Sequence, residues 1–158
     1  MGGDGQVVIT ISSSRHKLAA QSVAVMVEQL SRVLAIRAIA AGLNPAQWAA
    51  LRHVATANES ARSIGAFARL HRTTPSSASQ TIGSLVAKGL LTKEAGSDGR
   101  ERVLKLTSKG STMMRRDPLK DLAQVIAEFP EDRLLGLAEV LELLIRNAMG
   151  NPPPPSSI

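Results

Sequence analysis

The stretch that decides the fold is residues 89–110, GLLTKEAGSDGRERVLKLTSKG. Here the apolar pattern changes from a helical period to an alternating one. Leu91 on one side, and Val103, Leu104 and Leu106 on the other, lie in β-favouring runs around AGSDGR. That Gly/Ser/Asp content suits a hairpin turn, so the segment predicts two short antiparallel strands. Immediately afterwards, Thr107-Ser108 offers an N-cap for a further helix.

The residues upstream give the hairpin its meaning. Ser63 caps a short helix, IGAFARLH, that would bury Ile64, Phe67 and Leu70. After the tight link LHRTT, Thr74-Pro75 repeats the cap-then-proline start signal, and a helix is expected over 75–88 with Gly89 as its stop. Two short helices joined by a tight turn are a helix-turn-helix candidate. Followed directly by a hairpin, they take the order of a winged helix. Before them, LNPAQWAALRHVATA has Asn44 as N-cap, Pro45 at the first helical position and Gln47 three residues after the cap, the spacing of a capping box. Trp48, Leu51 and Val54 form the apolar stripe of that helix, which makes Trp48 a core residue.

The helix over 75–88 is unusual in composition. At about 100° per residue from Ile82, the residues Pro75, Ala78, Leu85 and Val86 share its inner face. The outer face carries Ser76, Ser77, Gln80, Ser84 and Lys88, with Thr81 at its edge and Ser79 nearer the core margin. Small hydroxyls allow close approach to a major-groove floor, and Gln80 can pair bidentately with adenine. Charge lies around this helix rather than on it. Between residues 69 and 120 there are eleven Lys or Arg against four acids, whereas the rest of the chain is close to neutral. Arg69, Arg72, Lys93, Arg100, Arg102 and Lys105 flank the helix, an arrangement in which phosphate contacts position and base contacts specify. The overall charge of +6 therefore points to a polyanionic partner, double-stranded DNA.

The outer segments are helical and apolar. Leu18, Val23, Met26, Val27, Leu30, Val33, Leu34 and Ile36 recur at three-and-four spacing and stop at Gly42. A fifth helix carries Met113, Met114, Leu119, Leu122, Val125 and Ile126, with Pro118 expected to kink it or to start a new segment. A sixth begins at Pro130, and its leucines cover most of its circumference, so it needs cover on two sides. A second subunit is the economical cover. Residues 1–14 are expected as a flexible arm and 151–158, NPPPPSSI, as a disordered tail.

Other classes find little support. No cysteine is present, which removes disulfides, thiolate metal sites and thiol redox sensing. His16, His53 and His71 show no ligand spacing. No nucleophile–base pair, carboxylate pair or phosphate loop occurs, so no enzyme and no cofactor is expected. The opening MGGDGQVVITISSSRHK lacks a basic n-region before its apolar run, and no stretch approaches the ~20 apolar residues of a membrane span. The expectation is a soluble cytoplasmic protein without membrane contact.

Residues 43–110, from LNPAQW through LTSKG, resemble the MarR family of bacterial transcriptional regulators. The matching pieces are LNPAQWAALRHVA, the helix-turn-helix closing in LVAKGLL, and SDGRERVLKLTSKG. In the last, Asp98, Arg100, Leu106, Thr107 and Gly110 match the family's wing signature. The resemblance implies a mainly α fold with a small β-hairpin wing (α+β). In it, a winged helix-turn-helix lobe over 43–110 is flanked by dimerisation helices over 15–42 and 111–150, all within one domain spanning 15–150. It further implies a homodimer on a palindromic operator, usually as a repressor, with helix 75–88 in the major groove and the wing, 96–102, in the minor groove. The DNA-binding residues would be Arg72, Thr74, Ser76, Ser77, Gln80, Thr81, Ser84, Lys88, Arg100 and Arg102, with Asp98 ordering the wing. Gln80 stands where many relatives carry Arg, so an operator sequence is not carried over. Many members release DNA on binding a small lipophilic or phenolic effector, for which Trp48, Arg52 and His53 are the candidate contacts here. The alternative is a helical dimeric interaction or ligand-sequestering protein that uses the same fold without reading DNA.

Overall fold

The computed structural model describes residues 4–96 and 102–150. Two compact units divide the chain after Pro118. The first contains α1 (Asp4–Ala40), α2 (Pro45–Thr56), a single 3-10 turn (Glu59–Ala61), α3 (Ile64–Leu70), α4 (Pro75–Ala87), β1 (Leu91–Ala95), β2 (Arg102–Leu106) and α5 (Ser108–Met114). The second contains α6 (Leu119–Ala127) and α7 (Glu131–Gly150). The mainly helical fold with one antiparallel hairpin is the one the sequence predicts. The expected wing tip, with Asp98 and Arg100, and the tail 151–158 lie outside the described residues.

The helix starts follow local chemistry. Asn44 caps α2 through a full capping box with Gln47, and Ser63, Thr74 and Thr107 each accept a backbone N–H of the first turn of α3, α4 and α5. Each side-chain oxygen satisfies one of the donors that a helix leaves unpaired at its start. Gly42 and Gly89 end α1 and α4 with φ of +103° and +70°, a region open to glycine at no steric cost.

The core of the first unit is built around α2. Trp48, Leu51 and Val54 are buried with Ile82 and Leu85 of α4, Leu91 of β1 and Leu104 of β2. The strands pair in register Leu91↔Leu106 to Ala95↔Arg102. On its other edge, the Leu104 N–H donates to the Arg62 carbonyl at 2.7 Å. At Leu104, backbone therefore meets both edges of β2, and the adjacent Val103 and Leu104 are both buried. Burial along this strand therefore does not strictly alternate.

Several expectations change. A continuous helix occupies residues 4–14, where an arm separate from α1 was expected; an apolar run as short as Val7–Ile11 does not distinguish helix from strand by its period. Leu70 and Pro75 are exposed rather than buried, because the turn between α3 and α4 carries both outward. The new segment expected at Pro118 is present, by contrast: α5 ends at Met114 and α6 starts at Leu119, since proline lacks the donor that a continuous helix needs and disfavours helical geometry in the residue before it. The apolar stripe of α1, expected as part of a dimerisation helix, is exposed from Leu18 to Val33. In the second unit, Leu135, Val140, Leu143 and Ile145 of α7 are each more than half exposed. Among the described residues, these apolar positions of α1 and α7 remain exposed.

Candidate nucleic-acid interface

The recognition-helix candidate is held by three buried residues, Ala78, Ile82 and Leu85. Its exposed residues are Ser76, Ser77, Ser79, Gln80 and Lys88, with Thr81 half-buried. The wheel therefore misplaces two of its serines. Ser79 is exposed, whereas Ser84, assigned to the outer face, is half-buried and accepts a hydrogen bond from Gln47 Nε2 at 2.8 Å. A wheel drawn on the dominant apolar face has no means of showing a neighbouring helix that arrives from the flank. Thr74 is exposed, but its oxygen already caps the Ser77 N–H at 3.1 Å and its hydroxyl donates to Ser77 Oγ at 2.9 Å. It shapes the helix start.

Before the helix, the turn is tight. The Thr73 N–H donates to the Ala68 carbonyl at 3.0 Å and the Arg72 N–H to the Arg69 carbonyl at 3.3 Å. Arg72 has a φ of +47°, a left-handed conformation that costs a non-glycine residue roughly 1–2 kcal/mol. An exposed arginine held there, where glycine would fit without strain, places a guanidinium at the mouth of the helix-turn-helix. Arg69 is exposed one helical turn earlier.

After the helix, the cations divide into two groups. Arg102 is exposed at the start of β2 and Lys88 at the end of α4. Lys105, by contrast, pairs with Glu94 across the hairpin at 2.8 Å. The Lys105 ammonium holds the Glu94 carboxyl below its usual range, and Glu94 in turn raises Lys105. Lys109, which sequence reasoning left without a role, donates from Nζ to the Lys88 carbonyl at 2.8 Å. It thus caps the negative end of the α4 dipole.

The corner behind the helix is closely fitted. Thr107 Oγ1 donates to the Gly89 carbonyl at 2.7 Å and accepts from the Gly110 N–H at 2.9 Å. A Cβ on Gly110 would lie 2.1 Å from the Leu90 carbonyl oxygen, so no side chain fits there. The Thr-x-x-Gly spacing in the sequence is the signal of this contact.

The three effector candidates all have intramolecular partners. Trp48 is fully buried, and its Nε1 donates to the Ala38 carbonyl at 3.0 Å. Arg52 grips Asp117 with two hydrogen bonds of 2.7 Å and lies over the Trp48 ring. Asp117 is almost fully buried, and it was visible in the sequence only as one acid among basic neighbours. His53 Nε2 donates to the Ala61 carbonyl at 2.9 Å, and its ring packs against Phe67 and His71. Burial, followed by the neighbouring His53, lowers the pKa of His71. A groove does run along α1, past Leu18, Ser22, Val25 and Met26, and the three candidates do not line it. Among the described residues no group of three or more His, Cys, Asp or Glu could hold a metal ion. No described helix is long and apolar enough to cross a membrane.

Comparison with known proteins agrees with this geometry. The profile of the MarR family matches residues 41–101. The fold is similar to the crystal structure of a MarR family transcription regulator (TM-score 0.66, 16% identity, covering 89% of this chain and 95% of that one). It is also similar to S. aureus MepR in a complex with DNA (TM-score 0.66, 11% identity, covering 82% and 95%). A third similar structure is a probable transcriptional regulator from Pseudomonas aeruginosa (TM-score 0.59, 20% identity, covering 77% and 96%). No curated protein matches the sequence significantly.

Proposed function

We propose that this chain, whose residues 41–101 match the MarR family profile, is a DNA-binding transcriptional regulator, acting as a homodimeric repressor on a palindromic operator. One observation carries the reading: an uncharged face of Ser76, Ser77, Ser79 and Gln80 is exposed on α4, between the exposed cations Arg72, Lys88 and Arg102. The hydroxyls and the amide suit base edges, and the cations suit phosphates. Arg100 and Asp98 complete the wing by resemblance, with Arg100 or Arg102 entering the minor groove. The homodimer is supported by the exposed apolar faces of α1 and α7, surfaces that a soluble monomer seldom presents. In such a dimer the two recognition helices address grooves one DNA turn apart, about 34–36 Å. Release by a small lipophilic or phenolic effector rests on the resemblance.

The test is a titration against the intergenic DNA upstream of the protein's own gene, at several salt concentrations. Saturable binding with a steep negative log–log salt slope is expected, and Arg102→Ala or Arg100→Ala should reduce the slope by about one contact. Gln80→Ala should relax base preference at one position per half-site. No preference over random DNA at low salt would overturn the proposal, in favour of an interaction protein with the same fold.

A further inference from the structure

We infer that Gln47, a buried residue of α2, positions the recognition helix by fixing its rotation about its own axis. This rests on the reading of α4 as the helix that meets DNA. Gln47 is nearly inaccessible, so it acts through Ser84 and not on DNA itself.

The geometry leaves the Gln47 side chain one arrangement. Its backbone N–H donates to Asn44 Oδ1 at 2.8 Å, and its Oε1 accepts from the Asn44 N–H at 3.1 Å. Only the amide oxygen can accept from an N–H, so Nε2 must point the other way. There it donates to Ser84 Oγ at 2.8 Å. The residue before Asn44, Leu43, is buried, and its N–H donates to the Ala38 carbonyl at the end of α1. A continuous chain of directional contacts therefore runs from the end of α1, through the start of α2, to the recognition helix.

Polar contacts from Lys109 and Thr107 hold the C-terminal end of α4, but along its body the other buried residues are apolar: Ala78, Ile82 and Leu85. Apolar burial is non-directional and tolerates a small roll. A hydrogen bond is not so tolerant, because it weakens steeply as its angle closes. A roll of about 20° would move a side-chain tip, some 5–6 Å from the helix axis, by about 2 Å. That exceeds the roughly 0.5 Å spread of hydrogen-bond distances, so the base contacts of Gln80, one turn before Ser84, would be lost. Phosphate contacts made by long flexible arginines would survive the same roll.

The experiment uses the full chain and a duplex that the wild-type protein enriches from a randomised library. The quantity read is the ratio of affinity for this duplex to affinity for random duplex. Ser84→Ala keeps the capping box and raises helix propensity, so the variant folds. Ser84→Ala and Gln47→Met should each lower the ratio about three- to tenfold, the scale of one hydrogen bond. The double variant should fall no further than either single, as for two partners in one interaction. Ser84→Thr, which keeps the hydroxyl, should retain the wild-type ratio, and random-duplex affinity and salt slope should stay unchanged throughout. Retention of the ratio in both single variants overturns the inference, as does a loss in Ser84→Ala with none in Gln47→Met, which would make Ser84 a direct base reader. If the wild-type protein enriches no duplex, the DNA-binding reading itself fails, and the positioning role with it.

Discussion

The lobe around α2 and the two long helices are made of similar residues and end in opposite situations. Trp48, Leu51, Ile82, Leu85 and Leu104 are sealed from water, whereas Leu18, Met26, Val140 and Leu143 are exposed on helices of the same aliphatic character. Polar groups differ in the same sense. The buried polar side chains Gln47, His53, Ser63 and Asp117 all have partners, while the long helices carry exposed ion pairs such as Arg146 with Glu142. Helical periodicity shows that a face is apolar. It does not show whether the covering surface belongs to the same chain.

The sharpest way to break this contrast is to damage each region in turn. Trp48→Ala should cost about 3–5 kcal/mol, the range for emptying an aromatic core site. Thermal melting would register that loss. Val140→Lys with Leu143→Lys should leave the melting of the lobe within about 0.5 kcal/mol, as expected for exposed sites, while sedimentation shows the loss of association. Should the double lysine variant remain dimeric, these faces are not the interface. Next in size is Asp117→Ala, which strands a half-buried Arg52 guanidinium. Removing one partner of a buried ion pair costs about 3–5 kcal/mol, and partial exposure of Arg52 should reduce this to about 2–3. Denaturant unfolding would measure it, and Arg52→Met with Asp117→Leu should restore part of the loss.

Arg72→Gly separates stability from function at a single position. Relief of the left-handed strain should hold or raise stability, by up to about 1 kcal/mol. The same change should weaken DNA binding and flatten its salt slope by about one contact. A variant that loses stability instead would show that Arg72 is not strained.

The smallest effect concerns His71. Its folded pKa is lowered, so the unfolded chain takes up the proton first as pH falls. Stability is therefore complete above the ordinary histidine value near 6.5 and declines as pH drops below it. Comparison of melting between pH 7 and pH 5 should show a steeper decline in the wild-type protein than in His71→Gln. Equal slopes would assign the acid sensitivity to other groups.

Much of the lobe was legible in the sequence because its signals are local. The caps at Asn44, Ser63, Thr74 and Thr107 each involve residues three positions apart, and the glycine stops need only one residue. The Thr107–Gly110 spacing is equally short-range. What escaped depends on partners far along the chain. Ser84 exchanged places with Ser79 because Gln47, thirty-seven residues earlier, reaches it from the side. Arg52, read as a ligand contact, is occupied by Asp117, sixty-five residues later. Lys105 and Lys109 counted equally in the charge excess, yet one neutralises Glu94 and the other caps α4. Net charge by segment cannot distinguish a cation facing solvent from one already in use.

The contact at Gly110 has a mechanical side. With the Leu90 carbonyl lying where a side chain would begin, and Thr107 bridging Gly89 to Gly110, the start of α5 and the end of α4 have no gap between them. A joint without clearance transmits displacement instead of absorbing it. A displacement of the start of α5 therefore bears directly on the residues that follow the last turn of α4, the helix whose opposite end meets Arg72.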